Sequence, residues 1–138
     1  MSERTNVALI RHLYAEIDKG NEAILDKVFA PDYVEHDPSS TPGSPPSLVG
    51  LKQEFQRFAA AFAESEHVID DIFAAGDRVV VRITGRGIHR GEYLGVPPTG
   101  KRVSMSGIAI YRIAHGKIVE EWNQVDRLDF HRQLGLVR

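Results

Sequence analysis

Apolar residues recur at helical spacing in the first part of the chain. Leu13 and Tyr14 lie three and four positions after Ile10, which predicts an amphipathic helix. The same period predicts two further helices, over residues 22–30 and about 48–63. Three helices are therefore expected before the main strands.

The pattern changes to that of β-strands after Ser65. Four runs of residues show apolar–polar alternation or are rich in β-branched residues, and turn-forming residues separate these runs. His115-Gly116 is a two-residue hairpin signal, because glycine and, more rarely, histidine accept a positive φ. The four predicted strands cover residues 67–75, 78–90, 102–114 and 117–124.

Three short segments complete the pattern. Residues 30–38 are predicted as a brief extended segment, too polar at its end for a helix. The Pro-, Gly- and Ser-rich residues 39–47 predict a surface loop that is a candidate pocket rim. Residues 126–135 form a final amphipathic turn, and Asp126 is expected to cap it.

Length and composition exclude several classes of protein. The chain has 138 residues, which suits one domain over residues 1–138. Lys plus Arg number 17 against 19 Asp plus Glu, and their mixed distribution gives no electrostatic footprint for nucleic acid or an anionic membrane. No cysteine is present, which excludes disulfides and thiolate chemistry. With no apolar signal segment and no membrane-length apolar run, a soluble cytoplasmic protein is expected.

The sequence contains no metal or cofactor motif. His12, His67, His115 and His131 are scattered, without the i, i+4 spacing or the carboxylate partners of a metal site. Neither a P-loop, a dinucleotide fingerprint nor a G-x-S-x-G nucleophile motif occurs. We therefore predict a protein without a metal or cofactor.

Both faces of the predicted sheet are largely apolar. In the third strand, period two places Met105, Gly107 and Ala109 on one face. Ile108 and Ile110 lie on the other. Three helices cover only one face, so a homodimer that buries the second face is expected.

Small residues occupy the middle of that third strand. Gly107 and Ala109 lose packing there, which indicates either a cavity under the helices or a close backbone approach or bulge. The two residues by themselves leave both interpretations open.

Two segments carry a family resemblance. L-G-V-P-P-T-G-K-R followed by G-K-I-V-E-E-W-N, placed after three helices, resembles the SnoaL-like polyketide cyclases, a branch of the nuclear transport factor 2-like superfamily. The resemblance covers nearly the whole chain. It implies a cone-shaped, cystatin-like α+β fold in which three N-terminal helices pack on a curved, mainly antiparallel sheet. It also favours the cavity above Gly107 and Ala109, and sheet-to-sheet dimers.

The resemblance implies a chemistry as well. In similar cyclases an aspartate on the last strand acts as general acid/base in an intramolecular aldol closure, assisted by two polar residues of the preceding strand. Here those positions are Asn123, Gly107 and Ala109. An asparagine cannot exchange a proton at working pH. General acid–base catalysis contributes roughly 10²- to 10⁴-fold in rate, and Asn123 cannot provide this contribution. Asn123 is still expected to hydrogen-bond a carbonyl or enolate oxygen.

The best candidates for a catalytic base lie in the run Glu35-His36-Asp37-Pro38. This run is similar to a V-E-D-P segment of the ketosteroid isomerases, whose aspartate abstracts a proton next to a carbonyl. An inserted His36 interrupts the match, so either His36 or Asp37 faces the pocket. The competing interpretations are a rim histidine and a turn residue before proline. The predicted catalytic residues are His36, Asp37 and Asn123.

The predicted pocket lies between the helices and the sheet. Its expected ligand is a small, largely apolar carbonyl compound, handled by cofactor-free cyclase, isomerase or hydrolase-type acid/base chemistry. The alternative is a non-catalytic ligand-binding or assembly module that has lost the aspartate. Glu121 shares the period-two face of Asn123, and Trp122 falls on the opposite one. The predicted ligand-binding residues are Tyr14, Glu35, Phe58, Met105, Gly107, Ala109 and Glu121.

Overall fold

Helices pack against one five-stranded sheet. The structure is a computed structural model that describes residues 2–37 and 43–137. In the described chain, no helix is long and apolar enough to cross a membrane. The elements in chain order are α1 (Glu3–Asp18), α2 (Ala23–Val28), β1 (Phe29–Glu35), α3 (Leu48–Ala61), β2 (Phe62–Ala75), β3 (Arg78–His89), β4 (Arg102–Ala114), β5 (Lys117–Val125) and α4 (Arg127–Gln133).

The strand order β1-β5-β4-β3-β2 makes the sheet mainly antiparallel. β2, β3, β4 and β5 pair antiparallel in succession, as hairpin connections favour. β1 joins the far edge and runs parallel to β5. The predicted α+β architecture is confirmed, with the extended segment before the loop forming the edge strand.

Two predicted boundaries are wrong. α2 ends at Val28 because the next residues already belong to β1. α3 ends at Ala61, and β2 begins at Phe62 rather than at residue 67, because Phe62 pairs with His89 in the sheet. The ladder hydrogen bonds of β2 override an apolar pattern that also suits a helix. Pro38 and residues 39–42 of the predicted loop lie outside the described residues.

Two predicted turn signals are confirmed. His115 and Gly116 have φ values of 52° and 74°, the left-handed conformation that a tight two-residue hairpin requires. The Asp126 side chain accepts a hydrogen bond from the Asp129 backbone N–H at 3.1 Å and so caps α4. The hairpin sets the register in which β5 returns along β4.

We call the sheet face that α1, α2 and α3 cover the inner face, and the opposite side the outer face. The inner face holds the main core, where Ile10 and Leu13 of α1 belong to one cluster with Val79, Val81 and Tyr111 of the sheet. A second, aromatic cluster follows at the end nearest α4. Both clusters leave space between them, where the polar residues of the candidate site lie.

Apolar side chains also form a row across the outer face. Phe73 pairs with Val80, Val80 with Ile110, and Ile110 with Trp122 in the ladders of β2 to β5. Phe73 is 57% exposed, and Ile108 on the same face is 50% exposed. Val80, Ile110 and Trp122 are half-buried, so solvent contacts the outer face mainly at Phe73 and Ile108.

Candidate functional site

A β-bulge lies in β5 just before the candidate site. Ile113 pairs with Ile118, but the preceding Arg112 pairs with Glu120, so Val119 is an extra residue on β5. Such an insertion changes which side chains of a strand face each side of the sheet.

The bulge decides which of two adjacent glutamates faces the helices. Strict alternation from the buried Ile118 would turn Glu120 inward. The extra residue instead places Glu121 and Asn123 on the inner face and Trp122 on the outer face. One insertion therefore brings the half-buried Glu121 side chain to the inner face, where it lines a cavity.

Glu121 is part of a hydrogen-bonded cluster. The Tyr33 hydroxyl donates to Oε1 of Glu121 at 2.8 Å. Nδ2 of Asn123 donates to Oε2 of Glu121 at 3.1 Å and to Oε1 of Glu35 at 3.0 Å. Asn123 thus uses both amide hydrogens to hold two carboxyl groups together. Both amide hydrogens of Asn123 are therefore used within the protein, and none is left to donate to a carbonyl or enolate oxygen of a ligand.

The protein environment shifts the proton affinity of this cluster. Burial raises the pKa of Glu121 to about 7, and the negative charge of Glu35 adds to the effect, while the hydrogen bonds from Tyr33 and Asn123 oppose it. Burial also raises the pKa of Glu35. The site therefore holds a carboxyl group whose pKa lies well above that of an exposed glutamate.

Tyr14 of α1 and Tyr111 of β4 lie next to this cluster. The hydroxyls of Tyr14 and Tyr111 are 2.5 Å apart in a buried hydrogen bond, and Tyr111 lies opposite Glu121 in the ladder. Burial raises the pKa of both phenols, so both stay protonated. One hydroxyl donates to the other, which leaves one hydrogen to donate to a ligand oxygen.

These groups border a cavity of about 240 Å³ between helices and sheet, which we call the deep cavity. A second space of about 540 Å³, the wide cleft, is lined mainly by apolar side chains. Leu51, Glu54, Phe58 and His67 line both spaces, so they adjoin each other. Of the predicted site residues, the deep cavity is lined by Tyr14, Glu35, Phe58, Gly107, Ala109, Glu121 and Asn123, and the wide cleft by Phe58 and Met105.

Close packing accounts for the glycine in the middle of β4. A Cβ atom on Gly107 would lie 2.6 Å from Cγ1 of Val125 and 2.8 Å from the Gln124 carbonyl oxygen. Of the two interpretations that the sequence left open, a close approach of β5 applies to Gly107, although Gly107 also lines the deep cavity. Ala109 is buried beneath the helices and borders the same cavity.

His36 and Asp37 lie at the end of β1 and line neither space. The His36 ring stacks on Trp122 with centroids 4.8 Å apart, and its Nε2 lies 2.6 Å from Oε2 of Glu120 on the outer face. Asp37 accepts the Asn123 backbone N–H at 2.5 Å, beside the strand edge. The structure brings neither side chain to the deep cavity. His36 follows the inward-facing Glu35 and so turns outward. Asp37 lies beyond the end of β1, where its carboxylate accepts the Asn123 backbone N–H instead of lining the cavity.

A histidine that the sequence left without a partner has one in the structure. Nδ1 of His67 lies 2.6 Å from Oδ1 of Asp18, and the His67 backbone N–H donates to Oδ2 at 2.8 Å. The residues are 49 positions apart, one on α1 and one on β2, so no spacing rule connects them. Within residues 2–37 and 43–137, no group of three or more His, Cys, Asp or Glu side chains is arranged to hold a metal ion.

Helices packed on a mainly antiparallel five-stranded sheet are the fold of the nuclear transport factor 2-like proteins. The chain belongs to the family of SnoaL-like polyketide cyclases, whose sequence profile matches residues 8–134. Both the predicted family and the predicted fold are confirmed.

Individual relatives agree with this assignment. Aklanonic acid methyl ester cyclase DauD of Streptomyces sp. (strain C5) is 28% identical over 135 residues, which cover 94% of this chain and 81% of DauD. The solved structure of TsrD from Streptomyces laurentii is 28% identical with a TM-score of 0.87, covering 99% of each chain. IdmH from Streptomyces antibioticus is 32% identical with a TM-score of 0.80, covering 94% of this chain and 98% of IdmH.

Proposed function

We propose that this protein is a cofactor-free cyclase that closes a ring in a small, largely apolar polyketide carbonyl compound, with Glu121 as the group that exchanges the proton. The observation that carries the proposal is the Glu121 carboxyl group, which lines the deep cavity and accepts hydrogen bonds from Tyr33 and Asn123, and burial raises its pKa to about 7. A general acid/base works best when its pKa lies near the operating pH. Membership of the SnoaL-like polyketide cyclase family supports a polyketide as the substrate class.

The geometry supports a division of labour for an aldol closure. The Glu121 carboxylate takes the proton from the carbon next to a carbonyl group. The Tyr14–Tyr111 pair donates its remaining hydrogen to the enolate oxygen that forms, and a preorganised donor of this kind stabilises developing negative charge. The mainly apolar lining of the deep cavity and of the adjoining wide cleft suits a substrate with little polar surface.

Asn123 is a positioning residue in this proposal. It donates to the carboxyl groups of Glu35 and Glu121, and it occupies the position where the similar cyclases place their aspartate. The proton-exchanging carboxyl group therefore lies two residues earlier on the same strand and the same face. The chain keeps a titrating group in the cavity although the family aspartate is replaced.

The test uses aklanonic acid methyl ester, because two relatives are named for that substrate. We expect cyclisation by the wild type above the uncatalysed background, and a loss of about 10²- to 10⁴-fold in kcat for Glu121→Gln. Glu120→Gln is the matched control, because it removes the same charge one residue away on the outer face. Equal activity of Glu121→Gln and wild type would contradict the role of Glu121.

A non-catalytic ligand-binding module is the second candidate, and the replacement of the aspartate by Asn123 favours it. Calorimetric titration with the same ester separates the two functions. Binding to the wild type without any cyclised product would support the binding module and reject the cyclase.

We also propose that the protein pairs as a homodimer through the outer face. The outer-face row of Phe73, Val80, Ile110 and Trp122, exposed at Phe73 and half-buried at the other three, supports this, because large apolar patches on soluble proteins mark interaction sites. Light scattering at micromolar concentration should give twice the chain mass, and Phe73→Glu should give a monomer. A monomeric wild type rejects the dimer. The cytoplasmic location and the single domain over residues 1–138 stay predictions.

A further inference from the structure

The Asp18–His67 pair has the geometry of a carboxylate-oriented base. The Asp18 carboxylate accepts two hydrogen bonds from one residue, from the ring Nδ1 at 2.6 Å and from the backbone N–H at 2.8 Å. A carboxylate only accepts, so Nδ1 of a neutral His67 must carry the hydrogen. Nε2 is then the nitrogen that is left to accept or donate a proton.

The His67 ring lies where the deep cavity meets the wide cleft, and it lines both. Tyr14 packs beside it with ring centroids 5.2 Å apart. The Nε2 edge of the ring faces Gly85, where an added Cβ atom would lie 3.7 Å from Nε2. Among the described residues no group hydrogen-bonds Nε2. The absence of a side chain at Gly85 keeps space next to this nitrogen.

Glu121 and His67 border the deep cavity from different parts of the sheet. Glu121 lies on β5 and His67 on β2, which are three strand spacings apart. That separation is about 14 Å between the backbones at roughly 4.8 Å per strand. The two side chains therefore approach a bound molecule from opposite sides. A ring closure has two proton-transfer positions, one at carbon and one at oxygen.

Building on the proposed function, we infer that His67, oriented by Asp18, is the second proton-transfer residue of the cyclase. Glu121 takes the proton from the carbon, and the electron pair of that C–H bond forms the new bond to the acceptor carbonyl carbon. The π electrons of the acceptor carbonyl move to its oxygen, which takes a proton from Nε2 of the protonated His67. The reaction leaves Glu121 protonated and His67 neutral, and one proton returned through solvent restores both.

The resting protein provides the first test. Nitrogen-15 NMR of the neutral His67 ring should show the hydrogen on Nδ1, and Asp18→Asn should shift the ring toward the Nε2–H form. A wild-type ring with its hydrogen on Nε2, or a ring that Asp18→Asn leaves unchanged, would overturn the inference without reference to any substrate.

Turnover of aklanonic acid methyl ester provides the second test. We expect His67→Gln to lower kcat by about 10²-fold or more with little change in KM. Asp18→Asn, as a positioning variant, should lower kcat by about 10²-fold together with the change in the NMR tautomer. His12→Gln is the control, because His12 is exposed on the same helix as Asp18.

The outcomes separate this inference from the proposed function. An inactive Glu121→Gln with a fully active His67→Gln rejects the role of His67 and keeps that of Glu121. An inactive His67→Gln with a fully active Glu121→Gln rejects the role of Glu121 and keeps that of His67. A wild type that binds the ester but never cyclises it rejects both roles.

Discussion

The Glu121→Gln substitution should change how the stability of the protein depends on pH. Burial raises the pKa of Glu121 from 4.5 to about 7, so between these values the folded protein holds a proton that the unfolded chain has lost. Stability falls with rising pH wherever the folded state binds more protons. The wild type is therefore destabilised progressively from about pH 4.5 to 7, and the glutamine variant lacks this contribution.

The size of the effect follows from the pKa shift and the hydrogen bonds. One pKa unit corresponds to about 1.4 kcal/mol, so the shift amounts to about 3 kcal/mol between pH 4.5 and 8. In the variant, the glutamine carbonyl oxygen can still accept from the Tyr33 hydroxyl, but the amide NH2 group cannot accept from Nδ2 of Asn123. The lost hydrogen bond lowers the free energy of unfolding by about 1 kcal/mol at all pH values. The variant should be slightly less stable than wild type at pH 5 and more stable by about 2 kcal/mol at pH 8.

Urea unfolding followed by circular dichroism between pH 5 and 8.5 at constant ionic strength measures both free energies. Glu66→Gln is the control, because its carboxylate is 60% exposed and faces Arg86 across a surface ion pair. We expect its pH profile to run parallel to that of the wild type. Parallel profiles for Glu121→Gln and wild type would refute the buried, proton-holding carboxyl group.

Two further predictions concern neighbouring positions. Asn123→Asp would place a third carboxyl group about 3 Å from those of Glu35 and Glu121. The free energy of unfolding of this variant should therefore fall more steeply than that of wild type from pH 5 to 8. An unchanged pH dependence in urea unfolding would contradict the carboxyl cluster. Ala109→Phe should fill the deep cavity and abolish calorimetric binding of aklanonic acid methyl ester while the thermal midpoint stays near that of wild type. Ile110→Phe on the outer face is its control, and a loss of roughly 1 to 3 kcal/mol or more in Ala109→Phe would show a filled core instead.

Local patterns were sufficient for most of the fold. The left-handed His115-Gly116 pair predicts the hairpin because few residues accept a positive φ, and Asp126 predicts a helix start because its side chain satisfies a backbone N–H. Strand alternation also placed Glu121 and Asn123 on one face and Trp122 on the other. These features depend on residues close together in sequence, so the sequence determines them directly.

The proton chemistry of the site depends on contacts between distant parts of the chain. The bulge at Val119 selects Glu121 rather than Glu120 for the interior, and strand pairing turns His36 to the outer face. Asp18 meets His67 across 49 residues only because α1 packs over β2. Burial and hydrogen-bond partners decide a pKa, and both arise from the assembled helices and sheet. The sequence by itself therefore determined most of the elements and the family, and the tertiary structure decided which carboxyl and imidazole side chains line the deep cavity.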